Sequence, residues 1–175
     1  MRKTLIVVDM QNDFVTGALG TKEAQAIVSN VKNKIEEYRK NNADIIFTQD
    51  THGNDYLNTM EGRKLPVKHC LMGTDGWQII PELHILDDYR EAIIQKDTFG
   101  YEDWGHIINP KTESIELVGL CTDICVISNA MIIKAAFPDI PIIVDAKCCA
   151  GVTPQSHENA LNAMQMCHID VIGRE

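Results

Sequence analysis

The sequence predicts an α/β protein built on a mostly parallel sheet covered on both faces. Three observations predict it. Short β-branched runs alternate with segments of helical periodicity, several reactive side chains sit immediately beyond those runs, and no repeat, low-complexity tract or linker rich in Gly, Ser or Pro interrupts the 175 residues. The length suits a single domain, residues 1–175, large enough to bury a hydrophobic core.

Taken in order, residues 4–8 read as a buried strand. A helix follows over 22–40, where Ala24, Ile27, Val31, Ile35 and Tyr38 recur at the spacing that gathers them on one face. Residues 45–48 are the second strand, and a long stretch containing Gly and Pro then runs from 50 to 81. Residues 92–95 and 115–118 are the third and fourth strands. The helix over 130–137 is apolar nearly all round, which marks it as buried, and Pro138 ends it. Residues 140–144 form the fifth strand. Thr153 followed by Pro154 is an N-cap with proline at the first helical position, opening a helix that reaches Cys167. Residues 169–172 close the pattern as a sixth strand.

The formal net charge of −9 argues against nucleic acid or an anionic membrane as the main partner. No apolar stretch reaches the roughly 18 residues of a membrane span, and the opening Met-Arg-Lys-Thr leads into only a short apolar run. A cytoplasmic location is the expectation. Six cysteines are then reduced thiols rather than a disulfide framework.

Ligands of parallel α/β sheets bind at the carboxyl ends of the strands. Asp9 follows the first strand, Asp50 and His52 the second, Lys96 the third, and residues 119–125 the fourth. Asp145 follows the fifth and has no evident chemical role. Beyond the fourth strand the chain turns at Gly119 and enters a helix, with Thr122 or Asp123 as N-cap and Cys125 in the first turn. A thiol there is expected to have a lowered pKa, and nearby N–H groups to hold an oxyanion. The alternative is a buried structural cysteine. Taken singly, Asp9 reads as a turn cap and Lys96 as a solvated lysine. Together the carboxylate, ammonium and thiol form a charge-balanced set suited to acyl transfer through a thioester.

A second constellation is Asp50-x-His52 with His69. One carboxylate and two imidazoles make a normal ligand set for Zn²⁺ or Fe²⁺ with positions left open, although a polar loop can hold such residues without a metal. Glu61 in the same loop is a further ligand candidate. His84, His106, His157 and His168 read as surface or packing residues, His106 lying in a segment that could line a pocket. Three residues separate Cys121 from Cys125, so they are no Cys-x-x-Cys pair. Vicinal Cys148 and Cys149 lack the spacing of a zinc site.

These residues fall into motifs. Asp9-Met10-Gln11-Asn12-Asp13-Phe14, Asp50-Thr51-His52, the segment Pro66 to Cys70 followed by Gly73-Thr74, and Gly119 to Val126 occur in that order across nearly the whole chain. In this the sequence resembles the isochorismatase-like cysteine hydrolases, nearest to the nicotinamidases. The resemblance implies a three-layer α/β/α fold with a six-stranded, mostly parallel sheet. It implies a triad of Asp9, Lys96 and Cys125. It also implies a cis peptide between Leu120 and Cys121, with the N–H groups of Cys121 and Cys125 forming the oxyanion hole. It further implies a divalent metal on Asp50, His52 and His69, Zn²⁺ foremost with Fe²⁺ or Mn²⁺ as alternatives.

The implied activity is hydrolysis of a small linear amide, nicotinamide to nicotinate and ammonia, as in NAD salvage. Two other readings stay open: a ureido or carbamoyl substrate, or a non-catalytic thiol or binding module. Self-association is also left open. The chain departs from the family where Leu65 precedes Pro66, where an extra residue stands before His69, and where Asp97 to Tyr101 replaces the usual Ser-Ala-Phe pattern. Phe14, Leu120, Tyr101 and Trp104 are the expected pocket residues.

Overall fold

The computed structural model describes residues 2–174. Six strands, β1 (Thr4–Val8), β2 (Asp44–Asp50), β3 (Glu91–Lys96), β4 (Ile115–Leu120), β5 (Ile142–Ala150) and β6 (Asp170–Ile172), form one sheet of order β3-β2-β1-β4-β5-β6. Every neighbouring pair is parallel. Six helices accompany them: α1 (Asn12–Val15), α2 (Lys22–Lys40), α3 (Met60–Lys64), α4 (Trp104–Ile107), α5 (Ile127–Ala136) and α6 (Pro154–Met166).

The sheet is the middle layer of three. Helix α2 buries Ala24, Ile27, Val31, Ile35 and Tyr38, the face its periodicity predicts, against Leu5, Val7, Ile45 and Phe47. Its first turn is closed by Thr21, whose side chain accepts from the Ala24 N–H at 3.0 Å. On the other face, Ile6, Val8, Leu117 and Val144 pack with Ala130, Ile133, Leu161 and Met164 of α5 and α6. Thr153 caps α6 in a reciprocal box with Ser156, and Pro154 follows it, as the sequence predicts.

Two boundaries differ from the sequence expectation. Strand β5 continues to Ala150, so Asp145 lies within the strand rather than past its end. A strand read as an apolar run stops at the first charge, but this charge is neutralised inside the protein. Lys34 Nζ of α2 lies 2.9 Å from Asp145 Oδ2 and 2.7 Å from Glu116 Oε1, while the Tyr38 hydroxyl donates to Glu116 Oε2 at 2.6 Å. The second difference follows β4. Neither Thr122 nor Asp123 is a cap; Cys121 takes the extended N-cap conformation before a wide π-helical turn, Thr122–Val126, which leads into α5. Thr122 instead hydrogen-bonds His157 Nδ1 at 2.7 Å, and Asp123 accepts from the Val152 N–H at 3.2 Å.

Glycine is required at 119. Its φ is +117°, and a Cβ there would lie 2.1 Å from the Val8 carbonyl oxygen on β1. The Leu120–Cys121 peptide that follows is cis. Among the described residues no helix is long and apolar enough to cross a membrane.

Candidate active site

Parallel strands deliver side chains to one edge at intervals of roughly 4.8 Å. Here β1, β2, β3 and the turn after β4 deliver Asp9, Asp50, Lys96 and Cys125 to a single cluster. Lys96 Nζ lies 2.7 Å from Asp9 Oδ2, 3.2 Å from Asp50 Oδ1 and 3.7 Å from Cys125 Sγ, and donates to the Thr98 carbonyl at 3.1 Å. All four residues are buried. Asp9 has a positive φ of 47°, which turns it off the strand, and its Oδ1 accepts from the Thr48 hydroxyl at 2.6 Å.

Burial governs the proton affinities. It raises the Asp9 carboxyl above the ordinary range, with Lys96 opposing and the Asp50 charge adding. It also pushes the Cys125 thiol well above its ordinary value, and the Asp9 charge reinforces this. The expected lowering of the Cys125 pKa is therefore corrected. The sulfur sits in a wide turn among apolar neighbours, and desolvation outweighs what Lys96 supplies. Desolvation also works against the Lys96 ammonium, but Asp9, Cys125 and Asp50 together hold it charged. An uncharged thiol next to a carboxylate of raised basicity is a proton donor beside its acceptor.

Asp50, His52 and His69 place one ligand atom each within 4.8 Å of one another. Asp50 Oδ2 lies 2.9 Å from His52 Nε2 and 3.7 Å from His69 Nε2, and Glu61 Oε1 lies 3.6 Å from both imidazole nitrogens. His69 Nδ1 faces the Val67 carbonyl at 2.8 Å, an acceptor that holds a proton on Nδ1 and turns Nε2 toward Asp50 and Glu61. His52 Nε2 is buried and, despite the nearby carboxylate, makes no well-formed hydrogen bond. An orphaned imidazole nitrogen converging with a second imidazole and two carboxylates fits a divalent metal. Tyr56, buried, packs its ring 4.6 Å from His52 and 5.0 Å from His69 and anchors its hydroxyl on the Leu65 carbonyl.

A cavity of about 540 Å³ opens onto Lys96 and His52, walled by Thr51, Met72, Tyr101 and Glu102 among others. Residues 3–175 match the isochorismatase domain. The chain belongs to the isochorismatase family.

The chain is 24% identical to the nicotinamidase of Escherichia coli over 94% of its own length and 90% of that protein's. The pyrazinamidase of Pyrococcus horikoshii, solved in complex with zinc, superposes with a TM-score of 0.85 at 25% identity, covering 99% of this chain and 100% of that one. N-carbamoylsarcosine amidase of Thermoplasma acidophilum shares the fold, with a TM-score of 0.78 at 24% identity over 98% of this chain and 95% of that one. The protein is an isochorismatase-family hydrolase whose six-stranded α/β architecture is that of its relatives.

Within this hydrolase the expected pocket residues separate. Tyr101 faces the cavity. Trp104 does not, because it is fully buried behind Tyr101, with ring centroids 5.4 Å apart, and donates its indole N–H to Asn129 Oδ1. The Leu120 side chain packs into the core on the α2 face, and Phe14 lies against His69 at 5.4 Å between ring centroids. His106 is exposed and pairs with Asp103.

Several site residues escape sequence reasoning. Gln11 clamps Asp50 through its backbone, donating to the Asp50 carbonyl and accepting from the Asp50 N–H, both at 2.8 Å. Asp13 accepts from the Cys70 N–H at 2.8 Å and so holds the segment bearing His69. Buried Asn129 donates to the Cys125 carbonyl at 2.8 Å and accepts from the Tyr101 N–H at 2.8 Å and the Trp104 Nε1–H at 2.9 Å. A lone amide within a mostly apolar helix, one turn beyond Cys125, was the available signal.

Proposed function

We propose that the protein hydrolyses a small carboxamide through a Cys125 thioester, nicotinamide to nicotinate and ammonia being the foremost reaction, in the recycling of the NAD pyridine. The carrying observation is that Lys96 Nζ lies within 3.7 Å of both Asp9 and Cys125 while the Asp50, His52 and His69 ligand set stands beside it.

The Cys125 thiol passes its proton to Asp9, and its sulfur attacks the amide carbon. Lys96 stabilises the negative charge as it passes from Asp9 to the sulfur, and the N–H groups of Cys121 and Cys125 receive the carbonyl oxygen as it gains charge. Asp9 then returns the proton to the amide nitrogen as the C–N bond breaks, and ammonia leaves. A water gives its proton to Asp9 and attacks the thioester carbon; the acid departs, and the proton returns to the sulfur. Asp50, His52 and His69, with Glu61 within reach, would hold Zn²⁺, or Fe²⁺ or Mn²⁺, which supplies a Lewis acid at the cavity wall. The relative in complex with zinc supports that choice.

The test is ammonia release from a panel of amides and ureido compounds, alongside elemental analysis of the purified protein. Nicotinamide is expected to be turned over, Cys125→Ala to abolish turnover and chelation to reduce it. A metal-free protein fully active on ureido compounds would establish the carbamoyl reading instead, and no turnover with an unreactive Cys125 would leave a binding module.

A further inference from the structure

We infer that the exposed wall of the cavity beside Lys96 and His52 is a charge filter: Asp97 and Glu102 admit neutral or cationic amides, reject amides that carry a second, anionic group, and hasten departure of the acid product. This rests on the amidase reading and narrows its substrate class.

The cavity wall carries Asp97 and Glu102 on the segment that directly follows Lys96. Both are exposed, and among the described residues no Lys, Arg or His nitrogen lies within 4.0 Å of either carboxylate. Lys96 is the one lysine or arginine in that wall. Its ammonium has three protons, and four acceptors already surround it: Asp9, Asp50, the Thr98 carbonyl and Cys125. His52, the other basic side chain in that wall, belongs to the ligand set, where Asp50 and nearby Glu61 would counter the charge of a divalent ion, so no side-chain cation is free to receive a carboxylate on the substrate. A second anionic group would meet two uncompensated carboxylates on that wall, a repulsion that salt screens.

The reaction itself changes the sign of this interaction. An uncharged amide becomes an acid that gives up its proton to the released ammonia or to water, so the product carries a negative charge that the substrate did not. The substrate passes these carboxylates without penalty, whereas the product is repelled by them. The same two residues thus act on selectivity and on product release.

Calorimetric titration of metal-loaded Cys125→Ala, expected to bind the amide without consuming it, with nicotinamide and, separately, nicotinate tests this directly. The acid is expected to bind at least about fivefold more weakly than the amide at low salt, and the gap to narrow in high salt. In Asp97→Asn/Glu102→Gln the ratio of acid to amide affinity should rise by about fivefold or more. The salt series needs neither the Asp97 nor the Glu102 substitution, and each single substitution serves if the two together are unstable. A ratio near one, indifferent to salt and to both substitutions, overturns the filter. Turnover of nicotinamide with that indifferent ratio would remove the filter and leave the amidase reading standing. Absence of both binding and turnover would remove the two together.

Discussion

Lys96 and Asp50 are joined at 3.2 Å through Asp50 Oδ1, while Asp50 Oδ2 turns to His52 at 2.9 Å. One carboxylate therefore joins the Lys96 cluster to the imidazole pair of the proposed metal site. Asp50→Asn is expected to weaken metal retention and to lower kcat by about a hundredfold or more, since it removes a ligand and a partner of the lysine at once. Metal content and hydrolysis at saturating metal separate the two effects. Full recovery of kcat with excess metal would confine Asp50 to ligation.

Asn129 positions Cys125. Replacing it with Ala strands the Trp104 indole N–H and the Tyr101 N–H, at a cost of about 3 kcal/mol, or roughly 6–12 °C in Tm for a chain of this size. Asn129→Asp keeps the acceptor and should recover part of the loss. Thermal unfolding of the two variants measures this, and an unchanged Tm in Asn129→Ala would exclude the role.

The pH dependence has two limbs of known sign. Burial raises Asp9, so protonation of the base sets in early on acidification, and kcat/KM should fall with an apparent pKa above the ordinary carboxyl value of about 4. That value will belong to the coupled Asp9 and Cys125 pair. Cys125 is also raised. Its contribution to stability is thus complete below the unfolded thiol's pKa of about 8.5 and is lost as pH rises toward the folded value. Cys125→Ala should therefore flatten the alkaline decline in stability, by up to about 1.4 kcal/mol per pH unit. Urea unfolding between pH 7.5 and 9.5 reads the difference, in a window about one unit either side of that thiol value.

Lys34→Met should be among the most destabilising changes outside the site. It leaves Glu116 and Asp145 buried as uncompensated like charges, at a cost of about 3–5 kcal/mol. Combining it with Glu116→Leu and Asp145→Asn should restore much of the loss. A triple variant less stable than Lys34→Met would show that the network contributes beyond charge balance.

The fold was largely legible because parallel strands in this chain are apolar runs and helices α2 and α6 carry their periodicity and caps openly. Asp9, Asp50, Lys96 and Cys125 were legible because strand ends gather side chains whatever their separation in sequence. Three features were hidden. The continuation of β5 through Asp145 depends on Lys34, over a hundred residues earlier. The high proton affinity of Cys125 depends on apolar neighbours from α4 and α5 rather than on its turn. Trp104 and Tyr101 are three residues apart, and only packing tells which faces the cavity and which stands behind it.

Residue 119 has room for a hydrogen atom and nothing larger beside Val8. The segments carrying Asp9 and Cys121 are therefore held at backbone contact. Loops around the cavity can be exchanged to suit another acyl group, but the gap between these two strands cannot be widened to admit a bulkier reacting centre. Redesign of this scaffold will have to work from the rim inward.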